Sequence, residues 1–277
     1  MKKTRKILAI VVTYYPEKEL LEKNISAFID HVDKVLIWEN TPEPEKLNYR
    51  FIEHEKVEYH GDGINSISHG LNYGWQYAKK YGYDYLLTMD QDSLWQDFKL
   101  FCERTINCSA APYGIWVPLV NDDENRKQYQ LRDSSITSGS LIPIDILDKI
   151  GGWNEFFMVD SVDTEFFAHA RSLNVGVYAI GDCHLNQHCG TPQVVKFIGH
   201  SFELRNDSTQ RLFQIYRNYL IATRMYPSIK SLWIGFRMVW LKKIKWILVF
   251  ETGRIRKFAA IFYGIICGLT FKLPKSS

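Results

Sequence analysis

The sequence predicts an α/β protein in which a mostly parallel sheet is flanked by helices and followed by a C-terminal helical extension. Strand and helix patterns alternate along the first part of the chain, which is typical of parallel strands joined by helical crossovers. Polar residues follow several strands, and only helical patterns remain beyond Gly199. The 277 residues suffice for one large α/β domain and an appendage. We expect the sheet domain over residues 1–200 and the helical region over residues 201–277.

The composition indicates a folded protein that does not bind nucleic acid. Hydrophobic residues make up 46% of the chain and aromatic residues 14%, which is typical of globular proteins. The net charge of +3 is too small to argue for a nucleic-acid partner. The five cysteines are odd in number and widely spread, which favours reduced thiols and a cytoplasmic protein. The basic N-terminus precedes an apolar run that is too short for a signal peptide and lacks a small-residue cleavage site.

The alternation begins with this apolar, β-branched run, residues 7–14, which predicts a parallel strand covered on both faces. Pro16 ends it. The patterns that follow predict a helix over residues 17–31, a strand over 35–38, a weaker strand near 51–59 and a helix over about 64–81.

The next strand, residues 85–89, delivers Asp90 and Asp92 one residue apart at its carboxyl end. In an open α/β sheet, ligands bind at that edge. Paired carboxylates suit Mg²⁺ or Mn²⁺, which take oxygen ligands and complete their shell with water and substrate phosphates. The alternative is structural: Asp90 begins a turn, and Asp92 or Ser93 caps the helix that follows.

The second half of the chain is less regular. Strands are predicted over residues 114–120, 136–142 and 175–180, with a polar surface segment over 121–133, a turn over 151–154 and a helix ending near 173. Further helical patterns cover residues 210–225, 231–250 and 258–273.

The loop after the first strand excludes two common nucleotide-binding classes. It reads Thr13-Tyr14-Tyr15-Pro16, which is neither a G-x-G-x-x-G fingerprint nor a P-loop. Dinucleotide enzymes and P-loop kinases are therefore not expected. Thr13, Asn40 and Asp90 each follow a predicted strand, so we expect them to converge on one crevice.

The order of these features resembles the family 2 glycosyltransferases with the Rossmann-like GT-A fold, and within them the bacterial rhamnosyltransferases. The resemblance covers roughly residues 7 to 225. It rests on Val11-Val12-Thr13-Tyr14, Asn40, Gly63-Ile64-Asn65 with Gly70-Leu71-Asn72-Tyr73-Gly74, Asp90-Gln91-Asp92, Gly151-Gly152-Trp153-Asn154-Glu155 leading to Val162-Asp163-Thr164-Glu165, and Tyr216-Arg217-Asn218-Tyr219.

The resemblance implies a role for each matching residue. Thr13, Tyr15 and Asn40 would hold the nucleotide base and ribose, with the alternative that Tyr15 is a packed aromatic. Asp90 would reach the nucleotide sugar, and Asp92 would contact the metal. His188 would reach the metal or the diphosphate, unless it is a surface loop residue. Asn65 and Asn72, from the glycine-containing motifs, would also face the donor.

Asp163 matches the family's catalytic base, which takes the proton from the acceptor hydroxyl. The chain departs from the commonest family pattern at Val162, where a Glu is usual, and at His169, where an Arg often follows. Rhamnosyltransferase-like members show a similar Val-Asp-Thr-Glu, so the departure narrows the subfamily. The alternative for Asp163 is a helix N-cap, and Asp160 is the second candidate base.

Two further segments allow other interpretations. The segment from Cys183 to Cys189 carries zinc-type ligands, but five residues separate the two cysteines, which does not match a paired knuckle. The C-terminal region mixes aromatics with many basic residues and a single acid, Glu251. No apolar run reaches the ~20 residues that span a bilayer. Its helices would either lie on the anionic inner face of the cell membrane or pack in a core or oligomer.

These observations predict an inverting glycosyltransferase that depends on Mg²⁺ or Mn²⁺ and transfers L-rhamnose from dTDP-rhamnose to a bacterial surface glycan. The partners would be a nucleotide-sugar donor and a saccharide or lipid-linked saccharide acceptor. One alternative is a transferase of the same fold that uses a UDP-sugar of galactofuranose or N-acetylglucosamine. Another is a non-catalytic nucleotide-binding scaffold.

Overall fold

The computed structural model describes residues 5–42, 48–121, 123–124, 127–187, 193–197, 200–204 and 206–273. The chain divides into two compact units, Met1–His188 and Cys189–Ser277. The first unit contains the strands β1 (Ile7–Thr13), β2 (Lys34–Glu39), β3 (Val57–His60), β4 (Tyr85–Asp90), β5 (Ser93–Trp95), β6 (Ile115–Val120), β7 (Tyr129–Leu131), β8 (Ser140–Pro143) and β9 (Val177–Gln187). Its helices are α1 (Lys18–Ser26), α2 (Ile67–Tyr81), α3 (Phe98–Arg104), α4 (Ile144–Ile150) and α5 (Val162–Ser172), with a short 3₁₀ turn at Ile29–His31.

The nine strands form one sheet in the order β3-β2-β1-β4-β8-β6-β9-β5, with β7 also paired to β9. β3, β2, β1 and β4 run parallel, and every residue of β1 is buried, as the continuous apolar run predicts. β8 runs antiparallel to β4 and β6, whereas β9 runs parallel to β6. The predicted fold class, a central sheet of mostly parallel strands flanked by helices, is confirmed.

The strand register brings the predicted polar residues to one level. Thr13 pairs with Glu39 across β1 and β2, and Val12 pairs with Asp90 across β1 and β4. The carboxyl ends of β1, β2 and β4 therefore lie side by side. This edge of the sheet is the place where a doubly wound fold binds its ligands.

Helix α2 lies close against the sheet because it carries glycine at the positions of contact. A Cβ on Gly70 would lie 2.5 Å from Trp38 Cδ1, and one on Gly74 would lie 2.9 Å from Ile10 Cβ. The helix begins three residues later than predicted, after Ser66, whose hydroxyl accepts a hydrogen bond from the His69 N–H at 3.2 Å. Such a cap fixes the start of the helix.

The predicted bounds of β8 and β9 are wrong. The sequence pattern places the start of β8 at residue 136, but Thr137, Ser138 and Gly139 form a loop before it, and Gly139 adopts φ +77°, a conformation that favours glycine. The pattern ends β9 at residue 180, but the strand continues to Gln187. A register shift against β6 between Val117 and Leu119 and a positive φ at Asp182 let the longer strand bend and continue.

The second unit contains a hairpin and three helices. β10 (Gln193–Phe197) and β11 (His200–Leu204) pair antiparallel, so the expectation of helices alone beyond Gly199 is wrong for β11. α6 (Thr209–Met225), α7 (Lys230–Val249) and α8 (Arg254–Thr270) follow. Leu212, Tyr216, Ile247 and Ile261 form the buried core of these helices. Within the described residues, each helix is too short or too polar to cross a membrane.

Candidate active site

The ends of β1 and β2 are joined through their polar residues. Thr13 and Asn40 are both buried. The Asn40 N–H donates to the Thr13 carbonyl at 2.8 Å, and the Asn40 side-chain oxygen accepts from Trp38 Nε1 at 3.1 Å. The Thr13 hydroxyl donates to the Trp38 carbonyl at 3.3 Å. These two predicted nucleotide-binding residues therefore lie together at the edge of the sheet and hold the two strand ends in place.

The loop after β1 is held against the loop after β4. The Tyr14 N–H donates to Gln91 Oε1 at 2.6 Å, and Gln91 Nε2 donates to the Tyr14 carbonyl at 3.2 Å. Tyr15 has φ 45°, and its N–H donates to the Thr41 hydroxyl at 2.9 Å. Tyr15 is 38% exposed, and its ring lies edge-on to Tyr14 and Tyr49, with 4.6 Å and 5.6 Å between ring centroids. The ring thus lies outside the core, with part of its surface open to a ligand.

Three hydrogen bonds from distant segments fix Asp90. Its N–H donates to the Ser138 hydroxyl at 2.9 Å, and its carbonyl accepts from Asn24 Nδ2 at 2.6 Å. Its carboxylate Oδ2 accepts from Gln187 Nε2 at 3.0 Å. The structural alternative holds only in part: a turn over residues 91–92 does follow Asp90, but neither Asp92 nor Ser93 caps a helix, because β5 begins at Ser93 and Asp97 caps the next helix.

Asp163 lies in the first turn of α5 and is aimed at the loop before β8. Its Oδ1 accepts from the Thr137 N–H at 3.0 Å and from the Thr137 hydroxyl at 2.6 Å. The N-cap residue of α5 is Ser161, in the left-handed region. The hydrogen bonds of Asp163 therefore hold the loop before β8 and do not cap the helix that contains Asp163. The second candidate base, Asp160, is partly buried and lies just before this cap.

The carboxylates of Asp90, Asp92 and Asp163 lie close enough for their charges to affect one another. Burial and, after it, the negative charges of Asp163 and Asp92 together raise the pKa of Asp90 to about 7, against the opposing effect of the Gln187 hydrogen bond. Burial also raises the pKa of Asp163, against the two hydrogen bonds from Thr137. A carboxylate with a raised pKa is a better proton acceptor near neutral pH. The site thus combines a candidate base with concentrated negative charge.

The residues present fit a hard divalent cation, although they do not enclose one. Within the described part of the chain, no group of three or more His, Cys, Asp or Glu side chains could hold a metal ion by itself. Mg²⁺-type sites that serve phosphate chemistry need only one or two protein carboxylates, since the substrate and water supply the other oxygens. The mutual repulsion around Asp90 is the electrostatic condition that a bound cation would relieve.

Asn72 and Asn65, both predicted to face the donor, have different surroundings in the structure. Asn72 Nδ2 donates to the Trp153 carbonyl at 2.8 Å and to Glu155 Oε1 at 2.9 Å, and Asn72 Oδ1 accepts from the Trp153 N–H at 2.8 Å. Its amide therefore anchors the loop that leads to α5, which is a positioning role. Asn65 is exposed in the turn before α2.

Sequence reasoning missed Gln187, which reaches Asp90 from the end of β9. Asn121, in the left-handed region with φ 52°, accepts a hydrogen bond from the Gln187 N–H at 2.8 Å. An Asn directly after an apolar strand is a turn signal, so Asn121 is the sequence signal for the turn that holds Gln187.

The neighbouring His188 lies outside the described residues, as does Cys189. Cys183 is buried in the core, where burial raises the pKa of its thiol to about 12.

Comparison with known proteins agrees with this fold. No protein-family model matches the chain. Over 245 residues the chain is 24% identical to the dTDP-rhamnosyl transferase RfbF of Shigella flexneri, covering 80% of this chain and 82% of that protein.

Solved structures show the same architecture. S. aureus TarS in complex with UDP-GlcNAc matches with a TM-score of 0.57 and 11% identity, over 95% of this chain and 81% of that one. GalNAc-T7 with UDP, GalNAc and Mn²⁺ matches with a TM-score of 0.59 and 10% identity, over 81% of this chain. The chain spans about half of GalNAc-T7, 48% of its length. The predicted resemblance is confirmed, and the comparisons support the predicted enzyme class, a glycosyltransferase.

Proposed function

We propose that this chain is an inverting, metal-dependent glycosyltransferase that transfers L-rhamnose from dTDP-rhamnose to a bacterial surface-glycan acceptor. The observation that carries the proposal is the grouping of Asp90, Asp92 and Asp163 at the carboxyl edge of the sheet, where their charges influence one another. The similarity to a dTDP-rhamnosyl transferase supports this choice of donor.

Asp163 is the proposed base. Within the described residues, both hydrogen bonds to its carboxylate go to Oδ1, which leaves Oδ2 to receive a proton. The acceptor hydroxyl loses its proton to Asp163 as its oxygen bonds to the anomeric carbon, and the bond from that carbon to the nucleoside diphosphate breaks. Attack opposite the leaving group inverts the anomeric configuration. Thr137 keeps the carboxylate in one orientation, which positions it for this transfer.

Mg²⁺ or Mn²⁺ is the proposed cofactor, held by Asp92. His188 is proposed as a second ligand, a role that only the family resemblance supports. The cation would act as a Lewis acid that neutralises the charge on the departing diphosphate. The crystal structure of GalNAc-T7 contains Mn²⁺ together with UDP and GalNAc, which supports a divalent cation in this fold. Asp90 is proposed to contact the nucleotide sugar, and Gln187 to position Asp90.

The nucleotide is proposed to lie along the ends of β1 and β2. Tyr15 offers a partly exposed ring beside the buried pair Thr13 and Asn40, which suits stacking against a flat base. Asn65, exposed before α2, is proposed to reach the donor from the side. Asn72 acts indirectly, because its amide holds the loop before α5.

A UDP-sugar is the second candidate donor. Two solved structures with this fold contain UDP or UDP-GlcNAc, which favours this alternative over other nucleotides. The acceptor is proposed to be a saccharide or a lipid-linked saccharide at the inner face of the cell membrane.

Thermal denaturation with dTDP, UDP, GDP and their sugars, each with and without Mn²⁺ or Mg²⁺, tests the proposal. A ligand that binds only the folded state at a hundred times its Kd adds about 2.7 kcal/mol of stability. We expect dTDP or dTDP-rhamnose to raise the melting temperature only when metal is present. A response to UDP alone would favour the second donor, and no response to any nucleotide would contradict both. A nucleotide response without any sugar transfer would favour a non-catalytic scaffold.

A further inference from the structure

The exposed side of α8 carries large apolar side chains where a surface helix normally carries polar ones. They recur at helical spacing and are Ile255, Phe262, Ile266 and Leu269. Ile255 is 87% exposed and Phe262 66%. The opposite side of the helix packs on α6, with Gly264 so close that a Cβ there would lie 2.6 Å from the Phe213 carbonyl oxygen. The helix is therefore apolar on both its buried and its exposed sides.

Helix α7 repeats the pattern. Its exposed apolar residues include Ile234, Met238, Leu241 and Leu248, which follow the same spacing along one side of the helix. Lys245 lies within that spacing and is also exposed. Exposed apolar surface on this scale marks a contact site for a membrane or another protein.

The charge distribution decides between these two partners. The only acid from residue 227 to residue 273 is Glu251. It is buried and contacts the ammonium groups of Lys243, at 2.7 Å, and Lys257. The exposed charged residues of this segment are consequently all basic: Lys230, Arg237, Lys242, Lys245, Arg254, Arg256 and Lys272.

A second copy of the chain would bring positive charges against positive charges in a symmetric contact. An anionic bilayer supplies both an apolar interior and negative headgroups. Trp233, Trp240 and Tyr263 are also exposed on these helices, and such amphipathic rings favour the membrane interface.

We infer that the exposed sides of α7 and α8 bind the surface of an anionic lipid bilayer, with the apolar residues inserted among the acyl chains and the basic residues at the headgroups. The surface lies within the second unit alone, and its binding to lipid is independent of the proposed transferase activity.

Co-sedimentation of the 277-residue chain with lipid vesicles tests this inference. We expect binding to phosphatidylcholine vesicles that contain phosphatidylglycerol, at least tenfold weaker binding to pure phosphatidylcholine, and release by high salt. Replacing Met238 and Phe262 together with Ser, or Lys242 and Lys245 together with Glu, should each weaken binding at least tenfold. Leu131→Ser, at an exposed apolar position of β7, and Lys99→Glu, on α3, are the matched controls and should bind as the native chain does.

Circular dichroism and the melting temperature show whether each variant is folded. Folded variants that bind like the native protein would overturn the inference, as would equal binding to both vesicle types or to neither. A stable dimer in size-exclusion chromatography that the Met238/Phe262 variant abolishes would instead assign this surface to a second copy. Nucleotide-induced stabilisation should be unchanged in all four variants, so failure here remains distinguishable from failure of the proposed activity.

Discussion

Glu251 in the second unit is buried and Asp90 at the sheet edge is partly buried, and the neighbours of these two acids carry opposite charges. Glu251 contacts two lysines, and Lys243 has a second acid, Asp207, at 2.8 Å. Asp90 has two further carboxylates nearby and one hydrogen bond from a neutral amide. The first acid is neutralised by its own protein, whereas the second is left with negative charge that a ligand could neutralise. A group of like-charged carboxylates is therefore a better sign of a binding site than burial of a single acid.

The largest expected effect is a loss of sugar transfer when an acid at the sheet edge is replaced. Asp163→Asn should lower the rate of sugar transfer by about a thousandfold, within the range for loss of a general base, because an amide cannot accept the acceptor's proton. Donor binding should be nearly unchanged. Transfer of radiolabelled sugar measures the rate, and nucleotide-induced thermal shift measures binding.

Asp160→Asn is the comparison for that variant, because Asp160 is the second candidate base. Full activity in Asp163→Asn together with loss in Asp160→Asn would transfer the role to Asp160. Asp30→Asn, on an exposed residue, controls for a general effect of removing an acid.

The next effect concerns stability in the helical unit. Glu251→Gln should lower the free energy of unfolding by about 3 kcal/mol, because the change leaves Lys243 and Lys257 with less compensation for their buried charge. Glu22→Gln, at an exposed position of α1, should change stability by less than about 0.5 kcal/mol. Urea denaturation followed by circular dichroism measures both. A Glu251→Gln protein as stable as the control would mean that the ion pairs contribute little.

Asp90→Asn should have the opposite effect and raise the free energy of unfolding. In the metal-free protein it removes a charge that burial and two carboxylates disfavour, so the free energy of unfolding at pH 8 should rise by about 1 to 2 kcal/mol. The folded-state pKa of about 7 lies above the ordinary aspartate value of 3.8. The folded native protein therefore binds more protons than the unfolded chain between about pH 4 and pH 7, and its stability should fall as pH rises through that window.

Urea denaturation in a chelating buffer at pH 5 and pH 8 tests this prediction. The gain from Asp90→Asn should be larger at pH 8 than at pH 5. A loss of stability at both values would show that the carboxylate is structurally required.

The smallest effect concerns the loop after β1. Gln91→Ala removes two hydrogen bonds to the Tyr14 backbone, worth about 1 kcal/mol in net terms. We expect a several-fold higher KM for the donor and little change in kcat, since Tyr15 would be held less firmly. Gln96→Ala, at an exposed position just after β5, should leave both constants unchanged. An unchanged KM in Gln91→Ala would remove this loop from donor binding.

The sequence predicts those parts of the site that depend on residues close together in the chain. A continuous apolar run followed by a polar residue marks the ends of β1, β2 and β4, and the parallel register then brings Thr13, Asn40 and Asp90 together. The partners that fix the carboxylates could not be predicted in this way. Thr137 is 26 residues from Asp163, Ser138 is 48 from Asp90, and Gln187 is 97 from Asp90. Their pairing depends on where β8 begins and β9 ends, and the sequence pattern alone misplaces both bounds.

Thr137 and Ser138 are consecutive residues, yet one holds Asp163 and the other holds Asp90. A single peptide unit therefore sets the spacing between the proposed proton acceptor and the donor-side acid. During divergence, insertions should be tolerated in the surface segment before this loop but not within residues 137–139. Relatives that differ widely in acceptor should retain the length of this loop, and a one-residue insertion there would be a way to inactivate the enzyme without altering any acidic residue.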